Sequence, residues 1–166
     1  MTASGRFLHD KSALVYASTE RGPGYWVLTP LQTDRGAIVY VNRGWVPTDR
    51  KDASSRTEGD PAGQVSVTGL LRLTEPGGTL LRSNDPAGGR WYSRDVEAMG
   101  KTAGLIHVAP FFIDADATPN PGGLPVGGLT IVKFPNSHLS YALTWFAMAA
   151  LSLVGGAILI RAERRR

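Results

Sequence analysis

The chain has 166 residues and no cysteine, which excludes disulfide frameworks, iron–sulfur clusters, thiolate zinc sites and copper carriage through Cys pairs. A net charge of +4 and a pI of 9.7 suggest a nucleic-acid binder until the charge is placed. The last six residues, Arg161-Ala-Glu-Arg-Arg-Arg166, carry +3 of that charge, so an electrostatic footprint for nucleic acid is absent from the rest.

In chain order, Gly5–Asp10 leads into Leu14–Tyr16 as a first pair of strands, and the Arg21-Gly-Pro-Gly24 cluster breaks what precedes it. Tyr25–Leu31 and Ala37–Asn42 are β-branched or aromatic in character. The polar Gln32–Gly36 between them has hairpin-loop length. Asn42-Arg43-Gly44-Trp45-Val46-Pro47 closes this hairpin, and Thr48–Gly63, rich in Asp, Ser, Arg, Gly and Pro, reads as a solvated loop. Val65, Val67, Gly69, Leu71 and Leu73 alternate with Ser66, Thr68, Leu70, Arg72 and Thr74, the period of a strand with one face buried. Glu75–Gly78 and Asn84–Gly89 punctuate a loop region. Asp95 then caps a short helix over Val96–Met99, with Gly100 or Gly104 to end it. Val108–Ala115 and Leu129–Phe134 are two further strands, and the three prolines of Thr118–Pro125 exclude regular structure between them.

From Tyr141 to Ile160 there is no charged residue, and 20 residues at ~1.5 Å each span roughly the 30 Å of a bilayer core. This is a transmembrane helix. Tyr141 and Trp145 suit the interface at one end, and the basic tail marks the other as cytoplasmic by the positive-inside rule, so the domain lies on the opposite side. Steps of four and three from His138 give Ala142, Trp145, Ala149, Ser152 and Gly156 on one face. Small residues there admit another helix backbone or a flat ring, because association in lipid depends on close packing. Leu143, Phe146, Leu151, Val154 and Ile158 read as lipid-facing.

The expected organisation is an extramembrane domain over 1–137, a transmembrane helix over 138–160 and a basic tail over 161–166. The fold class is mainly β, a small antiparallel barrel or sandwich with one short helix, plus the C-terminal span. Met1–Tyr16 contains no signal or anchor, yet the tail requires export of the domain, so a further N-terminal transmembrane segment is expected in the native protein. No Ser/His/Asp order, P-loop or dinucleotide signature survives inspection, and Gly122-Gly123 and Gly127-Gly128 do not open helices. His9 and His107 lack acidic or histidine neighbours at ligand spacing and read as ordinary domain residues. Asp95 and Glu97 have no nearby nucleophile.

The motifs together resemble one family. Gly24-Tyr-Trp-Val-Leu-Thr-Pro-Leu31, Val41-Asn-Arg-Gly-Trp-Val-Pro47, Val67-Thr-Gly-Leu-Leu-Arg-Leu-Thr-Glu75, Trp91-Tyr-Ser-Arg-Asp-Val-Glu-Ala-Met99, Phe112-Ile-Asp-Ala115, Pro125-Val-Gly-Gly128 and Asn136-Ser-His-Leu-Ser-Tyr-Ala-Leu-Thr-Trp145 stand in the order of the Surfeit locus protein 1 (Shy1) family of cytochrome c oxidase assembly factors. The resemblance implies two transmembrane helices flanking a β-rich domain on the outer side of an energy-transducing membrane, with the first helix missing here. It implies a non-enzymatic role in assembling the haem-copper oxidase subunit that carries haem a, with haem a synthase as a further partner and the lipid bilayer as the setting. Bacterial members are similar to haem a-binding proteins that use the His of the Asn-x-His-Leu motif as iron ligand, which carries over to His138. Tyr141 and Trp145 could flank the porphyrin, and the interface belt accounts for them equally. Arg43 could meet a haem propionate or a partner carboxylate, or anchor the Asn-Arg-Gly turn. A cofactor-free scaffold that holds an oxidase subunit is the alternative. The compact, Arg-rich chain points to a bacterial cytoplasmic membrane, with the domain periplasmic, over a mitochondrial inner membrane.

Overall fold

A computed structural model describes residues 1–130 and 137–165, and the chain divides into two units, one through Ile131 and one from Val132. The first unit is one sheet of six strands: β1 (Thr2–Phe7), β2 (Ala13–Thr19), β3 (Gly22–Thr33), β4 (Ile38–Pro47), β5 (Gln64–Leu73) and β6 (Val108–Ala115). The order is β1-β5-β6-β4-β3-β2, and β1 also pairs with β3 from Gly5↔Thr33 to Phe7↔Leu31. Strands β1, β5, β6, β4 and β3 therefore close into a ring, which removes the open edges of those five strands and leaves β2 beside β3. With 12 residues, β3 is long enough to hold β1 at one end and β2 at the other, where the pairing runs from Ala13↔Leu28 to Thr19↔Gly22.

The ring has two hydrophobic sides. Inside lie Phe7, Leu31, Val39, Val41 and Ile113, with Ala3, Val65 and Val67 packed against them. Outside, Val15, Leu28, Tyr40, Trp91, Val96, Met99 and Phe112 form a second core. Helix α1 (Val96–Thr102) contributes two of these residues and is capped as expected, the Asp95 carboxylate accepting from the Ala98 amide at 3.1 Å. Both faces of β4 are consequently buried, which is why its sequence lacks the alternation seen in β5.

The fold class is the expected one, mainly β with one short helix in the domain. One pairing departs from an antiparallel arrangement: β4 and β6 run parallel, with Tyr40↔Phe112, Val41↔Ile113 and Asn42↔Asp114 in register. The whole β5–α1 segment lies between them in the chain, which supplies the length a parallel return requires. Strand β3 begins at Gly22 and runs through Pro23 and Gly24, three residues ahead of the expected start at Tyr25. The Thr48–Gly63 stretch is more structured than a solvated loop, with 3₁₀ turns at Thr48–Arg50 and Ala53–Gly59 and with Arg56 and Gly59 buried. The prolines of Thr118–Pro125 leave room for a single 3₁₀ turn, Pro121–Gly123. The strand expected over Leu129–Phe134 falls mostly on 131–136, outside the described residues.

The second unit holds α2 (His138–Glu163), 26 residues long and ~39 Å from end to end, enough to cross a ~30 Å hydrocarbon core. It is apolar, no residue in it is buried, and it continues past Ile160. Two of its hydroxyls are satisfied within the helix, Thr144 donating to the Ser140 carbonyl (2.8 Å) and Ser152 to that of Met148 (2.9 Å).

Tyr40 sits fully buried with its hydroxyl unpartnered among the described residues, and burial pushes its phenol up to about 12. Tyr40→Phe deletes a polar atom that has lost water without gaining a bond, so it is expected to keep the fold and raise stability by up to about 1 kcal/mol. Chemical denaturation of the full chain in detergent measures this, and a loss of stability would show that the hydroxyl is engaged.

Candidate functional site

Alternation along β4 sends the consecutive residues Asn42 and Arg43 to opposite sides of the barrel wall, and each is held by distant parts of the chain. Asn42 donates to Asp114 Oδ1 (2.8 Å) and accepts the Gly44 amide (3.2 Å). Asp114 is almost wholly buried, accepts from the Thr130 hydroxyl at 3.0 Å, and has Arg72 at 3.7 Å and Arg94 at 3.8 Å. Arg94 in turn grips Glu75 with two bonds, Nε at 2.9 Å and Nη2 at 2.6 Å, and lies 5.2 Å from the Phe112 ring centroid. Burial alone would raise the Glu75 carboxyl; the Arg94 bonds and the nearby Arg72 charge outweigh it and hold the group below the ordinary carboxylate range.

Arg43 faces the other side, at one end of the barrel interior, with 2% of its side chain exposed. Its Nη1 donates to Asp60 at 2.7 Å and meets His9 Nδ1 at 3.4 Å; its Nη2 donates to the Gly59 carbonyl and to Asn120 Oδ1 (3.2 Å). The guanidinium lies 4.9 Å from the Phe7 ring centroid. Burial lowers its pKa from the ordinary value while the Asp60 carboxylate pulls the other way, and a guanidinium so paired stays charged at neutral pH. Glycine is required at 44, both because φ is +132° and because a side chain there would run into the carbonyl of Val126, which bridges to Trp45. Arg43 is thus the turn anchor, with its Nη1 and Nη2 donors engaged by the protein's own groups.

Each other residue singled out from the sequence has a definite place. His9 Nε2 donates to the Pro61 carbonyl (3.0 Å) and its Nδ1 lies 3.2 Å from Asp60, so it belongs to the Arg43 cluster. His107 is the one non-glycine with positive φ among the described residues, and its carbonyl accepts from Ile38 at 3.0 Å. Glu97 pairs with Lys101 across one helical turn at 2.8 Å on the surface. Among the described residues no group of three or more His, Cys, Asp or Glu could hold a metal ion. The cavity at the Arg43 end of the barrel, lined by Phe7, Val41, Val65, Val67 and Asn120, has a volume of about 250 Å³, below the ~300–1,000 Å³ of ordinary small-molecule sites.

His138, Tyr141 and Trp145 are carried by α2. His138 is its first residue, and steps of three and four place Tyr141 and Trp145 on the same face. All three are exposed, Tyr141 at 66% and Trp145 at 68%. The polar and charged residues Asp60, Glu75, Arg94, Asp114 and Asn120 around β4 carry no signal of their role in the sequence. The contacts that join them to Asn42, Arg43, Thr130 and one another span 16 to 77 residues, beyond the reach of local spacing.

The geometry defines a small closed β-barrel, locked by two buried charge clusters, in a chain that also carries a helix of membrane-spanning length. A model of the SURF1 family matches residues 1–150, and the chain belongs to that family. It is 38% identical to rat Surfeit locus protein 1 over 135 residues, covering 81% of this chain and 42% of that protein. It is 37% identical to the human Surfeit locus protein 1 over 141 residues, covering 84% of this chain and 45% of that protein. A SURF1-like protein of Monosiga brevicollis is 34% identical over 167 residues, with 92% of this chain and 62% of that protein covered. The chain thus spans less than half the length of the mammalian relatives it matches.

Two tests follow from the clusters. Arg43→Met strands the Gly59 carbonyl and the Asp60 carboxylate at the barrel end, with a loss of about 3 kcal/mol in denaturation of the full chain; an unchanged midpoint would deny the anchor role. The depressed Glu75 pKa means that its pairing stabilises the fold above the unfolded-state carboxylate pKa and is lost as pH falls through the lower folded value. Glu75→Gln is therefore expected to lower stability at pH 7 and to flatten the acid limb of a stability-versus-pH curve; parallel limbs would contradict the pairing.

Proposed function

We propose that the chain is a non-enzymatic, membrane-anchored assembly factor for haem-copper cytochrome c oxidase, which binds haem a through His138 and hands it to the catalytic subunit. Family membership supports the oxidase, and haem a synthase is the natural donor of the cargo. In this reading α2 spans a bacterial cytoplasmic membrane, the domain lies on the periplasmic side, and the Arg-rich end is cytoplasmic.

The observation that carries the haem reading is the position of His138 as the first residue of a long apolar helix, on one face with exposed Tyr141 and Trp145 and with Ala142, Ala149, Ser152 and Gly156 beyond them. An imidazole nitrogen is a donor that haem iron takes, so the residues present fit the group. Bound there, the haem would supply an iron that takes an imidazole nitrogen and a flat apolar macrocycle. His138 would hold the metal, Tyr141 and Trp145 would offer ring faces, and the small side chains would admit close approach. A single exchangeable ligand suits a carrier that has to release its cargo.

A second reading, a cofactor-free scaffold that holds the oxidase subunit, is favoured by the apolar side chains that β5 leaves open: Leu70 at 45%, Leu71 at 49% and Leu73 at 74% exposure. Purification from cells that make haem a separates the two. His138→Ala is expected to lose most of the bound haem while still co-purifying with the oxidase subunit, whereas equal haem content in variant and parent removes the ligand role. Loss of the subunit with Leu71→Asp, at unchanged haem content, would favour the scaffold.

A further inference from the structure

Between β5 and α1 the chain makes a hairpin whose two-residue loop is Leu80-Leu81. The Thr79 amide donates to the Arg82 carbonyl at 2.8 Å, the Arg82 amide returns to Thr79 at 3.3 Å, and Gly78 pairs with Ser83. The base is fixed to the domain: the Gly78 amide and the Asn84 side chain both donate to the hydroxyl of buried Ser93 at 3.0 Å, and that hydroxyl donates to the Glu75 carbonyl at 2.6 Å. Two-residue loops are ordinarily built from Asn, Asp and Gly, which satisfy the turn locally. Here the apex is two leucines, 100% and 90% exposed. Neither contributes to the fold, so their apolar surface is available to something outside it.

We propose that this hairpin tip inserts into the lipid bilayer, as a second point of membrane contact for the domain. The chemistry behind the apex is graded in the way a lipid interface requires. Arg82 follows the leucines directly, and its guanidinium lies 5.9 Å from the Tyr16 ring centroid and 5.4 Å from that of Tyr92. Leucines reach acyl chains, phenol rings suit the headgroup level, and an exposed guanidinium meets anionic phosphate. A protein partner fits less well, because a stable interface buries ~800 Å² on each side, far more than two side chains at a turn present. The bilayer is also at hand wherever α2 spans it, because the domain is tethered to that helix by the same chain. The inference rests on reading α2 as a membrane span.

The absence of cysteine makes the test clean. The full chain, as Leu81→Cys, carries an environment-sensitive nitrobenzoxadiazole label into phosphatidylcholine vesicles containing phosphatidylglycerol, with acyl-chain-brominated lipid as quencher. Leu151→Cys, in the middle of α2, reports the span, and Ser54→Cys, exposed on the domain, reports water. The expected result is roughly twofold quenching at 81 and at 151 with little at 54, and recovery of the label at 81 when Leu80→Asp is added. A quenched label at 151 beside an unquenched one at 81 overturns the hairpin contact alone. No quenching at 151 overturns the span and the contact with it. A label at 81 that is shielded only when oxidase subunit is added assigns the tip to protein and also overturns the proposal.

Discussion

The burial of β4 on both faces is the constraint on which the rest of the domain depends. A strand with apolar cores on its two sides can carry polar residues only where the chain supplies their partners, since an unpaired buried polar group costs ~1–3 kcal/mol and an unpaired buried charge more. Asn42 and Arg43 are such residues, and each collects distant segments. Asn42 takes Asp114 on the parallel neighbour β6, and through Asp114 the Arg72, Arg94 and Glu75 group. Arg43 takes Asp60, Gly59 and Asn120, which ties two of the long irregular connections to the barrel end. The wall of the barrel and the loops around it are therefore one hydrogen-bonded unit, with Gly44 permitting the close approach of Val126 between them.

Different rules hold for α2, a helix long and apolar enough to cross a membrane. A segment in hydrocarbon has to satisfy every backbone group internally, which a continuous helix achieves, and Thr144 and Ser152 return their hydroxyls to the preceding turn. What this leaves on the surface of the helix is a side-chain pattern, with bulky residues on one side and Ala142, Ala149, Ser152 and Gly156 on the other. Buried polar clusters give the domain rigidity, and the exposed aromatic and histidine side chains of α2 give the proposed carrier somewhere to take up a flat cargo. In the proposed reading, stability resides in the barrel and exchange at the helix.

The parts of this arrangement legible in the sequence were those written in local periodicity. The alternation of Val65, Val67 and Gly69, the Asp95 cap, the hairpin around Gln32–Gly36 and the uncharged run of α2 each follow from residues within a few positions of one another, whereas Leu71 and Leu73, which the same alternation assigns to the buried face, lie exposed at the end of β5. Pro23 and Gly24 ordinarily end strands, so the sequence signals a start for β3 only at Tyr25; Pro23 instead pairs with Ser18 at the outer end of the β2–β3 ladder, where a missing amide costs little. The parallel β4–β6 pairing and both charge clusters were invisible for the opposite reason. Arg43 and Asn120 are 77 residues apart and Asn42 and Asp114 are 72, so only the closed barrel brings them together. Arg56 and Gly59 are buried inside a stretch whose composition reads as solvated, because the Arg43 anchor draws that stretch onto the barrel.

The claim that most needs direct measurement is ligation by His138. Electron–nuclear double resonance on the ferric form of the full chain, isolated with haem a from cells grown on ¹⁵N-histidine, reports which nitrogen binds the iron. The account predicts an axial ¹⁵N coupling in the parent protein that disappears in His138→Ala. A coupling that persists unchanged in the variant would place the iron on another histidine and contradict it.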